Sequence, residues 1–158
     1  MDTNVLLVAS AAEPSSPFGD THVPAAEQHV VFEWLAAFRR DPHRRLVLDE
    51  AWRIYEEYRN RLTDQDFGLL AIHEKLQAAR FVPVAYDEAG YAILPDALQA
   101  CDPSDRKFVA ATLGDPEGIT IVNAADSDWI EIEHELDAAG VRVEHLIGAW
   151  LREAMASR

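Results

Sequence analysis

The chain has 158 residues, 28 acidic against 14 basic side chains, a net charge of −14 and a single cysteine, Cys101. A surface this acidic repels a phosphate backbone, which argues against a typical non-specific nucleic-acid binder. It does not exclude carboxylates that gather to hold cations, because bound cations reverse the local field. One cysteine excludes an internal disulfide, and no apolar run approaches a membrane span. The expectation is a soluble, cytoplasmic protein, one domain over residues 1–158, burying about 70% of the surface its unfolded form exposes.

Asp2-Thr3-Asn4-Val5-Leu6-Leu7 opens the chain, with a short helix expected over Asn4–Ala12 and a loop over Glu13–Val23, where Pro, Ser and Gly gather. Pro24 followed by Val30, Val31, Trp34, Leu35 and Phe38 at helical spacing predicts an amphipathic helix to about Arg40. Arg39, Arg40, Arg44 and Arg45 then crowd one short stretch. An RNA-binding patch is one reading; the other is a solvated loop entering the strand Leu46–Leu48, at the N-terminal edge of a sheet. Asp49 or Glu50 starts the next helix, whose Ile54, Tyr55, Tyr58 and Leu62 share a face with Glu57 beside it. Glu50, in the first turn, suits the helix macrodipole. Arg53, four residues before Glu57, either pairs with it or contacts a phosphate.

Thr63 and Asp66 mark a helix start for Phe67–Arg80, whose Leu69, Leu70, Ile72 and Leu76 supply core; His73 on it is structural or exposed. Phe81–Tyr86 and Tyr91–Leu94 flank an Asp87-Glu88-Ala89-Gly90 turn and read as a hairpin added at the edge of the fold.

The stretch Asp102 to Trp129 organises the rest. Ser104 or Asp105 caps a helix that runs to Gly114, an apolar strand follows over Ile119–Val122, and Asn123-Ala-Ala-Asp126-Ser-Asp128-Trp129 comes next. Trp129–Ala139 reads as a helix closed by Gly140, Val141–Val143 as a last strand, and Leu146–Met155 as an amphipathic helix. Trp150 and Leu151 are available to cover the sheet or a second subunit in a homodimer. Helices alternating with strands imply an α/β fold, a three-layer α/β/α sandwich around a central, mostly parallel sheet. The C-terminal end of a parallel strand and the N-terminus of the preceding helix share one edge, so Asp105 and Asp126 would meet there. Paired carboxylates are hard oxygen ligands suited to Mg2+ or Mn2+. Taken singly, Asp102 and Asp105 are also good cap residues, and Asp126 and Asp128 good turn residues.

Four motifs in order, Asp-Thr-Asn-Val-Leu at Asp2, Glu-Tyr at Glu57, Asp105 at a helix start and Asp126 after a strand, resemble the PIN-domain family of metal-dependent nucleases. The likeness spans residues 1 to about 145. The wording Asp-Pro-Ser-Asp-Arg-Lys-Phe-Val-Ala with Asp-Ser-Asp-Trp resembles a bacterial PIN-like subfamily without assigned function. In the family an apolar strand runs up to the first Asp. Here only Met1 precedes Asp2, so a stunted central strand, or one beginning upstream, is expected.

The resemblance implies hydrolysis of phosphodiester bonds, usually in RNA. Asp2, Glu57, Asp105 and Asp126 would be the catalytic, metal-holding carboxylates, with Asp128 and then Asp102 as further ligands and Arg106 and Lys107 meeting the substrate phosphate. Thr3 and Asn4 would bond the first carboxylate or the backbone. A toxin-type ribonuclease held by an antitoxin, or by another basic protein partner, is compatible with this reading. A non-catalytic PIN-like interaction module is the alternative. A haloacid-dehalogenase-type phosphatase needs a second Asp where Asn4 stands.

Overall fold

The computed structural model of the chain describes residues 1–19 and 21–157. Among them the chain is mixed α/β, and its strands run parallel in two small two-stranded sheets. Among the described residues, no helix is long and apolar enough to cross a membrane.

The first helix, α1 (Thr3–Ala12), begins at Asp2, whose Oδ1 accepts the Asn4 amide at 2.6 Å and caps the helix with a charge of the sign its N-terminus favours. Val5, Leu6, Val8 and Ala9 are all buried, which suits a helix apolar on several faces. It packs on α2 (Ala25–Arg40), which starts at Pro24 as its spacing predicts, and on α4 (Phe67–Lys75). The contact with α4 is tight: a Cβ at Gly68 would come within 2.6 Å of the Leu6 carbonyl. Ser10 ties the pair by donating to Leu6 O and accepting the Gly68 amide.

The first sheet pairs β1 (Val47–Asp49) with β2 (Arg80–Val82). This shortens the hairpin reading: Phe81 and Val82 belong to a parallel strand, while Ala85–Ile93 does form a small hairpin, in which Tyr86 bridges Ala92 antiparallel and the Ile93 amide donates to Ala85 O around the Asp87–Gly90 turn, where Gly90 takes φ +87°. The helix before β2 is correspondingly shorter than Phe67–Arg80, since α4 passes into a 3₁₀ turn at Leu76–Ala78. Between β1 and α3 (Arg53–Arg61) the chain turns sharply at Trp52, the one non-glycine residue with positive φ (63°) among those described. Buried Asp49 holds this turn, its carboxylate accepting the Arg53 and Ile54 amides and the Tyr86 hydroxyl. Those bonds offset the strain of a left-handed Trp.

The second sheet pairs β3 (Thr120–Asn123) with β4 (Arg142–His145), and α5 (Arg106–Gly114) packs against both β1 and β3. The helix expected over Trp129–Ala139 is two short pieces, α6 (Asp128–Glu131) and α7 (Glu133–Ala138), broken where Ile132 leaves helical backbone at ψ 15°. Gly140, at φ +77°, ends the second piece, and α8 (Gly148–Ala156) follows β4. One connected cluster of buried side chains joins α1 through Ile147.

Candidate metal centre

Three carboxylates converge beyond the C-terminal ends of β1 and β3. Asp2, Asp105 and Asp126 each bring one oxygen to within 4.8 Å of the other two. Each is positioned by a different local device.

Asp2 is 2% exposed. Its amide donates to Val122 O on β3 at 2.8 Å, the preceding Met1 carbonyl accepts the Tyr58 hydroxyl at 2.6 Å, and its Oδ2 accepts the Trp129 indole N–H at 2.7 Å. The first carboxylate is therefore held from three sides although only Met1 stands before it. Asp105 sits where the chain turns into α5, its own amide bonded to Asp102 O. Asp102 spends its carboxylate on the Ser104 amide and hydroxyl, while the Asp105 side chain makes no capping bond and faces the other acids. Asp126 lies in the loop after β3, where Asn123 grips its backbone in both directions: Nδ2 donates to Asp126 O and Oδ1 accepts the Asp126 amide. Its carboxylate accepts the Asp128 amide at 3.0 Å and the Asn4 side-chain amide at 3.3 Å.

Glu57 lines the same pocket from α3 but is not one of the three convergent acids. It accepts the Thr3 hydroxyl and forms an ion pair with Lys107. Lys107, half inserted beside it, also donates to Ser104 O. Asp128 is exposed at the pocket rim. Arg106 stands outside the acidic pocket: its guanidinium donates to the Cys101 and Gln99 carbonyls and lines the neighbouring hollow with Asp128 and Glu131. The difference between these adjacent bases is helical geometry, since successive residues point about 100° apart on a helix.

Concentrating carboxylates disfavours their ionised forms. Burial pushes Asp105 up to about 8, and the Asp2 and Asp126 charges add to it while Lys107 opposes it. Burial likewise raises Asp2 to about 6 against the bonds from Trp129 and Asn4, which favour the anion. Asp126 is raised too, chiefly by burial. A divalent cation suits this donor set. The oxygens are hard, each carboxylate oxygen of Asp2 and Asp126 keeps a lone pair beyond the single bond it accepts, and a double positive charge removes the repulsion.

Trp129, Asn123 and Arg61 were not singled out by sequence reasoning, yet the first two position ligands and the third lines the pocket. A signal existed for one of them, because a buried indole N–H needs an acceptor and an acidic stretch precedes Trp129. No family model matches the chain, and comparison with curated proteins and with solved structures gives no match either.

Proposed function

We propose that the chain is a divalent-metal-dependent nuclease of PIN-like, three-layer architecture that hydrolyses phosphodiester bonds in RNA. The observation that carries this reading is the convergence of Asp2, Asp105 and Asp126, three carboxylates from three elements with oxygens within 4.8 Å. Such a cluster is costly without a cation. Asp2, Asp105 and Asp126 would hold Mg2+ or Mn2+, and Asp128 at the rim would join through its side chain or through water. The bound ion lowers the pKa of water and offsets charge on the attacked phosphate. Trp129 and Asn4 fix the orientations of two ligands, as outer partners do at metal sites. Lys107 sets an ammonium beside the pocket to face a phosphate oxygen. Arg106, held by two carbonyls, contributes less.

The alternative, a non-catalytic module of the same fold, draws on a specific observation: Glu57 is tied to Lys107 and Thr3 instead of joining the three acids. The two readings separate in one experiment, Mn2+ titration followed by thermal unfolding and by cleavage of single-stranded RNA. An ion at about a hundred times its dissociation constant should stabilise the fold by about 2.7 kcal/mol. Asp126→Asn should weaken that response and abolish cleavage while the protein stays folded, and Lys107→Gln should slow cleavage with the metal response kept. Stabilisation without cleavage of RNA or DNA favours the module. No metal response in the original protein removes the site as assigned.

A further inference from the structure

Two hollows open from the acidic pocket, and they differ in charge. The one toward α6 shares Asp102 and Asp128 with it and sets Arg106 among Asp102, Asp128 and Glu131, one base against three acids. The other runs along α3, shares Glu57, Arg61 and Ser104 with the acidic pocket, and carries Arg53, Arg61 and Lys107 against Glu56 and Glu57. A phosphate chain reaching the acidic pocket is repelled on the first path and attracted on the second.

The second hollow encloses about 920 Å³, mouth included. One of its walls is a face of α3, where Arg53, Glu56, Glu57, Asn60 and Arg61 fall at helical spacing, and another is the hairpin around Gly90. Glu57 is occupied by Lys107 and Thr3, so it does not neutralise the arginines. Arg53 lies over the Tyr86 ring, 5.1 Å from its centroid, and against Gly90, where a Cβ would come within 3.3 Å of its Nη1. Arg61 is exposed, and its side chain makes no ion pair or hydrogen bond among the described residues. About 12 Å of helix separates the two arginines, enough for them to meet different phosphates of one strand.

On the hairpin wall stands Tyr91, 45% exposed although large and aromatic. The turn fixes its backbone: the Tyr91 amide donates to Asp87 Oδ1 and the Tyr91 carbonyl accepts the Asp87 amide, both at 2.9 Å. An aromatic ring on rigid backbone beside unpaired cations is the combination that holds single strands, nucleobases on the ring and phosphates on the cations. A base inside a duplex offers no free face to such a ring.

We propose that this groove, and not the hollow at Arg106, receives one nucleic-acid strand on its way to the acidic pocket, with Arg61 and Arg53 on separate phosphates and a base stacked on Tyr91. The proposal rests on the nuclease reading for the fate of the strand and not for its binding.

Binding of a fluorescein-labelled single-stranded oligoadenylate of about ten nucleotides is followed by anisotropy in Ca2+ at fixed concentration while NaCl is varied. Arg61→Gln should weaken binding and lower the slope of log affinity against log salt by about 0.7, the loss of one phosphate contact, and Arg53→Gln should do the same. Tyr91→Ala should weaken binding about fivefold or more with the slope unchanged, and Tyr91→Phe should restore it. Arg106→Gln should change neither affinity nor slope. Arg53, Arg61 and Tyr91 are exposed, so their variants should melt with the original protein. The proposal is overturned by absence of binding, by Arg61→Gln or Tyr91→Ala binding as the original, by an equal loss in Arg106→Gln, or by equal competition from a duplex of the same length. Binding with the expected losses but no RNA cleavage in Mn2+ keeps the groove and removes the nuclease reading. Cleavage in Mn2+ that the Arg61 and Tyr91 variants leave untouched removes the groove alone.

Discussion

The two ends of the sheets treat buried acids in opposite ways. At the N-terminal end, Asp115 is enclosed completely at its side chain, yet Arg80 at the start of β2 pairs with it and with Glu117. Nearby, Arg39 forms a two-pronged contact with Glu74, and Arg44 lies close to Asp41 and over the Trp34 ring. Beyond the C-terminal end, Asp2, Asp105 and Asp126 face one another, and the Lys107 ammonium pairs with Glu57 instead of with any of the three. A fold built only for stability has no reason to gather three acids there, because each buried charge needs its own compensation. The difference is the ground on which we propose that the acidic end carries the function and that the basic loop is scaffold.

The largest expected effect comes from stripping compensation at the scaffold end. Arg80→Gln leaves the Asp115 carboxylate buried without its partner and should cost about 3 kcal/mol, read as a fall in the urea midpoint with unchanged slope. If the loss is no greater than for a surface pair, the contrast between the two ends collapses.

At the acidic end the sign is reversed. The folded pKa of Asp105 lies near 8 and that of Asp2 near 6, both above the usual carboxylate range, so the metal-free folded chain holds more protons than the unfolded chain between about pH 4 and pH 8. Stability contributed by the protonated acids is fully present below pH 4 and is lost as pH rises through those values. Asp105→Asn should therefore be more stable than the original at pH 8, by about 1 kcal/mol or more, with little difference at pH 4. Urea unfolding at the two pH values checks it, and identical pH profiles would mean that neither burial nor the neighbouring acids hold the Asp105 carboxyl above its usual range. The smallest effect belongs to the exposed pairs. Arg39→Gln with Arg44→Gln should change stability by no more than about 0.5 kcal/mol and leave any RNA cleavage within a few fold. A large loss of cleavage would instead make this loop part of the substrate path.

Much of the fold was legible because local signals were strong. Pro24 with its periodic Val, Trp, Leu and Phe placed α2, the apolar runs before Asp49 and Asn123 placed β1 and β3, and Gly140 closed the helix before β4. The acids were legible as candidates through their positions at helix starts and strand ends. Their roles were not. In sequence Glu57 read as a metal ligand or a partner of Arg53 and Lys107 as a phosphate contact, and only the crossing of α3 with α5 brings the two together. The Phe81 segment looked like half of a hairpin because a turn follows it, but pairing with β1 depends on contacts more than thirty residues apart, as the Val47 to Arg80 register shows.

The sequence by itself determined the period of each element, the caps and turns, the excess of acid and the gathering of Asp residues at element ends, since these depend on interactions within a few residues. The tertiary structure decided which acids meet, that Trp129 and Asn4 hold two of them, that Arg106 turns away while Lys107 turns in, and that the strands fall into two sheets. Those outcomes depend on distances between segments remote in the chain, where burial and the pairing of charges select one arrangement and local propensity has no vote.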